Sequence, residues 1–142
     1  MLELEVELVD GTRVRANAMS EGLLYFLAFS ALRYLTTAKV ILVEEPETGL
    51  HPSRIADVVA ELRAVVENTN TQVIMATHSP LVINELKPDE VTIVTRSIEK
   101  GTQLTPMVST VNFEKRSQIY ALGELWLSYA NGADEAPLVS AK

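Results

Sequence analysis

Two acids and an imidazole sit where a sequence would place reacting groups. Glu44 and Glu45 follow directly on the apolar run Val40-Ile41-Leu42-Val43, and His78 follows on Ile74-Met75-Ala76-Thr77. One carboxylate of such a pair can hold a hydrated Mg²⁺, an ion that keeps several waters and takes only one or two carboxylates. The other can orient and deprotonate an attacking water. An imidazole at a strand end can donate a hydrogen bond to a terminal phosphate and so report its presence. Each residue also has a plain reading: two acids marking a strand's exit into solvent, and a polar residue in a loop. For His78 alone the plain reading is the better one; beside Glu44 and Glu45 the chemical one is. Ser20-Glu21-Gly22 opens an apolar helix. The free N–H groups of a helix start attract anions, and Gly22 permits close backbone approach, although most helices begin this way. His51 has no second histidine near it and reads as a loop or interface residue, while Trp126 reads as core.

The elements that must position these groups follow from periodicity. Residues 2–9 alternate apolar and acidic side chains, the pattern of a half-exposed strand. Asp10-Gly11 is a hairpin turn, with a return strand over 12–16. A strand so close to Met1 fits a chain that begins mid-fold. Ser20 is placed to cap a helix over 21–34 that is apolar nearly all round, which belongs in an interior or an interface. Val40 to Val43 reads as a central parallel strand buried on both faces. Pro52 opens a helix whose stripe is Ile55, Val58, Val59, Leu62, Val65 and Val66. Residues 72–77 form the next strand and 80–86 a short helix. Residues 90–96 and 103–108 flank Lys100-Gly101 as a hairpin. A single last helix spans 114–129, with Ile119, Leu122, Leu125, Trp126 and Tyr129 on its apolar side. The expected fold class is therefore α/β, a mostly parallel sheet with flanking helices and a C-terminal β-hairpin and helix. One domain is expected over 1–132, with 133–142 as a frayed tail. In such sheets chemistry gathers at the carboxyl ends of strands, where Glu44-Glu45 and His78 fall.

Composition removes several classes. The 142 residues are 47% apolar and 22% charged, the balance of a chain that can bury a core. Without cysteine there are no disulfides, thiolate zinc sites or cysteine nucleophiles. Two histidines cannot build a histidine cage. A net charge of −7 does not support direct nucleic-acid binding. No run approaches the roughly 18 apolar residues of a membrane span, and Glu3, Glu5 and Glu7 stand where a signal peptide needs positive charge. A cytoplasmic protein is expected.

Taken together, the segments resemble the ABC-type ATPase family, and among its members the prokaryotic ATPases related to the overcoming-lysogenization-defect and structural-maintenance-of-chromosomes proteins. Ser20-Glu21-Gly22 is similar to a degenerate signature motif, and Val40 to Pro46 to a Walker B strand. Glu47-Thr48-Gly49-Leu50-His51-Pro52 resembles the D-loop, and Ala76-Thr77-His78-Ser79-Pro80 the switch-histidine loop. Leu122-Gly123-Glu124-Leu125-Trp126 looks like the family's C-terminal helix. The resemblance implies a partial P-loop NTPase fold acting on ATP with Mg²⁺. Glu45 would be the catalytic base, Glu44 would assist the metal and His78 would contact the γ-phosphate. Ser20 and Gly22 would touch a nucleotide held by the opposite subunit. The sequence departs from the family in Glu44, where transporter-type members have aspartate, and in Leu23-Leu24-Tyr25, where the signature usually continues with polar residues.

One element is absent from the 142 residues. The six glycines, Gly11, Gly22, Gly49, Gly101, Gly123 and Gly132, form no G-x-x-x-x-G-K-[S/T]. Two functions follow as expectations. The first is the C-terminal half of an ATP-hydrolysing head, inactive until a Walker A lobe completes it. The second is a non-catalytic dimerisation module that complements a Walker A-bearing partner chain. A homo-oligomer is expected in either case, because an unpaired strand edge invites association.

Overall fold

The computed structural model describes residues 4–130; the expected tail at 133–142, the first residues of the N-terminal strand and the Tyr129 side chain lie outside what it describes. The chain divides into two compact units, Met1–Thr77 and His78–Lys142.

The first unit opens with a hairpin, β1 (Glu5–Glu7) and β2 (Arg13–Arg15), paired antiparallel with Glu5 opposite Arg15 and Glu7 opposite Arg13. Its turn is the expected one. Gly11 takes a φ of +81°, and the Asp10 carboxylate accepts from the Thr12 N–H at 2.9 Å. Those Thr12 hydrogen bonds hold the Asp10 carboxyl below its ordinary pKa. On the wet face Arg13 reaches Glu7 at 3.1 Å.

Helix α1 (Glu21–Leu35) begins where Ser20 predicts: the Ser20 hydroxyl oxygen accepts from the Leu23 N–H at 3.3 Å. It packs on α2 (Ile55–Asn68), and Arg33 meets Glu61 across that joint at 3.6 Å. None of its residues is fully buried, and Tyr34 and Leu35 are about three-quarters exposed. The all-round apolar helix is thus not an interior one within this unit.

Strand β3 (Val40–Glu44) pairs in parallel with β4 (Gln72–Ala76), with α2 between them in sequence. The stripe on α2 falls as its spacing dictates, since Ile55, Val58, Val59, Leu62 and Val65 are all buried. Val66 is the exception, 47% exposed. Each buried aliphatic side chain contributes roughly 1.5–3 kcal/mol, so α2 supplies most of this unit's core. The expectation that β3 is buried on both faces fails. Alternate residues face solvent, with Leu42 at 75% and its cross-strand neighbour Ile74 at 51% exposed.

The second unit carries α3 (Pro80–Asn84) and a hairpin of β5 (Thr92–Ser97) with β6 (Gly101–Pro106). Two further helices follow, α4 (Phe113–Ser117) and α5 (Leu122–Ala130). Its core is Ile93, Met107 and Leu125, with Val91, Phe113, Leu122 and Trp126 packed around them. Trp126 is therefore a core residue, as its sequence context implies.

The expected parallel sheet is met in part: among the described residues the strands form three two-stranded sheets, of which β3–β4 is parallel. The other two pairs are joined by tight turns, which can connect only antiparallel strands. The expectation of a single helix over 114–129 needs correcting, because it is broken in two. The Tyr120 N–H still bonds the Arg116 carbonyl, but the Ala121 N–H turns to the Glu124 carboxylate at 2.9 Å and starts a new helix. Ile119, expected on the apolar stripe, is 74% exposed at the break. Among the described residues no helix is long and apolar enough to cross a membrane.

Candidate functional site

The parallel register sets Glu44 opposite Ala76, so the loop after β3 starts at the carboxyl end of the pair. Glu45, the next residue, is tied to β4 through its N–H on the Ala76 carbonyl at 2.8 Å. Its φ is +45°, a left-handed conformation that costs a residue with a Cβ about 1–2 kcal/mol. Thr48 closes the turn twice, with its N–H on the Glu45 carbonyl at 2.9 Å and its hydroxyl on the Glu45 carboxylate at 3.3 Å. Backbone strain held this firmly is characteristic of sites where a side chain must be aimed.

A second tether lies two residues on. The Thr77 hydroxyl donates to Glu47 Oε1 at 2.7 Å, while Glu47 Oε2 is buried with no hydrogen-bond partner. The loop is thus pinned to the end of β4 by both a backbone and a side-chain bond.

Glu44 and Glu45 line one hollow of about 380 Å³ with Tyr25, Phe29, Pro46 and Thr48. Tyr25 and Phe29 were missed as site residues. Their signal is the i,i+4 spacing that puts both on one face of α1, masked by the apolar residues around them. The donor set suits a hydrated divalent cation taken by one or two carboxylates. Among the described residues no three acidic or histidine side chains cluster as a full protein cage would require.

Ser20 and Gly22 have structural duties at the start of α1. Ser20 caps the helix, and Gly22 lies against the loop itself: a Cβ there would stand 2.5 Å from the Gly49 carbonyl oxygen. Gly49 has φ +76° and packs beneath the Tyr25 ring. The start of α1 and the Glu45 loop therefore meet backbone to backbone. His51 is a cap as well, its Nδ1 accepting from the Ser53 N–H at 3.3 Å.

His78 opens the second unit, exposed and just ahead of α3. What fixes that helix is α5. The Gly123 N–H donates to the Asn84 side-chain oxygen at 2.7 Å, and Gly123 presses on the Pro80 carbonyl with no room for a Cβ.

The strain at Glu45 makes a prediction of its own. Glu45→Gly removes about 1–2 kcal/mol of left-handed cost and loses about 0.5–1 kcal/mol to the greater freedom of the unfolded chain. A net gain of about 0.5–1 kcal/mol is expected in urea melts, and a loss would show that the carboxylate itself supports the fold.

A family model described as "AAA domain, putative AbiEii toxin, Type IV TA system" matches residues 5–84, more than half of the chain. The chain belongs to this AAA domain family. All five residues singled out from sequence, Ser20, Gly22, Glu44, Glu45 and His78, fall inside the matched span of the AAA domain. A solved structure from work on the "structural biochemistry of ATP-driven dimerization and DNA stimulated activation of SMC ATPases" shares its fold. It is 18% identical, with a TM-score of 0.56, over 82% of this chain and 69% of that one. The AAA domain therefore shares the α/β, P-loop-NTPase-like fold of that structure. No curated protein matches it.

Proposed function

We propose that the AAA domain is the C-terminal part of an ATP-hydrolysing head, cytoplasmic and active once a Walker A lobe completes the nucleotide site. The observation that carries this reading is Glu45, held left-handed at the carboxyl end of a parallel strand pair and tied to Ala76. In that role the Glu45 carboxylate orients the attacking water and takes its proton. Glu44, one residue earlier on the rim of the same hollow, would hold a hydrated Mg²⁺, which would supply charge neutralisation for the phosphates when bound. His78 donates a hydrogen bond to the γ-phosphate, and Ser20 and Gly22 approach the phosphate of a nucleotide on an opposing subunit. The related SMC ATPases undergo ATP-driven dimerization, which supports a homo-oligomer here.

Calorimetry tests this. The chain alone is expected to take up no ATP, because 142 residues without G-x-x-x-x-G-K-[S/T] offer no phosphate cradle. With a Walker A-bearing lobe supplied, binding appears, and Glu45→Gln then binds ATP while turnover falls by about 10²–10⁴-fold. Unchanged turnover would remove Glu45 from its role.

The exposed pair Leu42 and Ile74 favours a second reading, a non-catalytic module that docks a Walker A-bearing partner through this face. ATPase activity that appears on mixing but ignores Glu45→Gln would select it.

A further inference from the structure

The helix α5 is used by neither reading, yet its first turn grips the segment that carries His78. The Gly123 N–H bonds the Asn84 side chain at 2.7 Å, from the far end of α3. At the near end, Gly123 meets the Pro80 carbonyl so closely that a Cβ would fall on it, and Pro80 is two residues from His78. The helix is thus held at both of its ends, one by a hydrogen bond and one by backbone contact. The start of α5 is itself fixed by the Glu124 carboxylate on the Ala121 N–H at 2.9 Å. Below it, Leu125 is fully buried in the core with Ile93 and Met107. Helix α3 has only five residues and cannot hold its own direction without tertiary support.

We propose that Asn84 and Gly123 are positioning residues for His78, and that α5 is the handle through which the orientation of the switch-histidine loop is set. This rests on the reading of His78 as the phosphate-contacting side chain. A partner or ligand that shifts α5 would turn His78 without touching it, because Gly123 meets the Pro80 carbonyl backbone to backbone.

The chain supplies its own reporter. It has two histidines, one in each unit, so the imidazole Cε1–Hε1 spectrum of the labelled, nucleotide-free full chain contains two peaks. His51 is the internal control. Spectra are taken in about 1 M salt, where charge effects beyond about 3 Å are screened. Asn84→Ala removes the acceptor of the Gly123 N–H, and Glu124→Ala releases the start of α5. Both are expected to displace the His78 peak of the folded chain beyond its linewidth and to leave His51 in place. Asn84→Ser, which keeps an acceptor oxygen on a shorter arm, is expected to displace it part-way, and it carries the same test if Asn84→Ala does not fold. A His78 peak that stays put in the Asn84 variants overturns the proposal. So does one that moves in those but not in Glu124→Ala, because Asn84 would then act on the loop without α5. Loss of stability alone would leave the folded-state peak where it is. No nucleotide is present, so failure here is distinct from failure of the ATPase reading, which the calorimetry decides.

Discussion

Gly123→Ala is expected to unfold the second unit or leave it barely stable. A glycine inside a helix is normally improved by alanine, by roughly 0.4–1 kcal/mol. Here the added methyl would overlap the Pro80 carbonyl oxygen and stand 2.8 Å from both the Pro80 carbonyl carbon and the Asn84 side-chain oxygen. Two of those three atoms are backbone and cannot swing aside, so α5 must withdraw from α3. Forcing atoms into a packed contact costs about 1–3 kcal/mol and more when backbone has to move. A net loss of about 3 kcal/mol or more is expected, a large part of the 5–15 kcal/mol that holds a domain together. Trp126, the sole tryptophan, packs on the core of this unit and reports on it alone. A urea titration followed by its fluorescence should show an early transition in the variant. A midpoint equal to or above wild type would mean that the α3–α5 contact is slack.

The second large effect is Gly22→Ala, where the same competition is played out in the first unit. A Cβ there would meet the Gly49 carbonyl oxygen at 2.5 Å, on a loop whose Gly49 already needs φ +76°. The helix-propensity gain of about 1 kcal/mol is outweighed by an overpacking cost near the top of the 1–3 kcal/mol range. A loss of about 2 kcal/mol is expected, with faster amide exchange in β3 and β4 as its local signature. This outcome separates two duties of Gly22. If the substitution proved neutral or stabilising, close packing would not explain the glycine, and nucleotide approach would be left as its reason.

The contrast between these two glycines shows what the chain's letters conveyed. Gly22 stood out because it follows a capping serine at a helix start, although its partner Gly49 was not apparent. Gly123 was visible only as part of a segment resembling a family helix. Local periodicity identified the Asp10-Gly11 hairpin, the Ser20 cap, the α2 stripe and the second hairpin, because each depends on residues within a turn or two of one another. The break before α5 was not visible, since it depends on where Gly123 must meet Pro80, far upstream. The apolar run of β3 promised burial on both faces. Pattern alone reports that a side chain is apolar, not whether another layer covers it, and Leu42 is left facing solvent. At the site, the acid pair was legible from its position after an apolar strand. The left-handed backbone of Glu45, the Glu47–Thr77 tether and the aromatic wall of Tyr25 and Phe29 were not. They arise from contacts between α1, the loop and β4 that no window of neighbouring residues contains.

The division at Thr77 also sets a timetable for synthesis. Chains emerge from the ribosome N-terminus first and generally fold unit by unit. The partners of the Glu45 loop named above, from Gly22 to Thr77, have been polymerised before His78 is added. Helix α5, which packs against α3, is the last described helix to be made. A nascent chain can therefore finish the acidic tip early, whereas the segment after His78 meets α5 only once the second hairpin has been made.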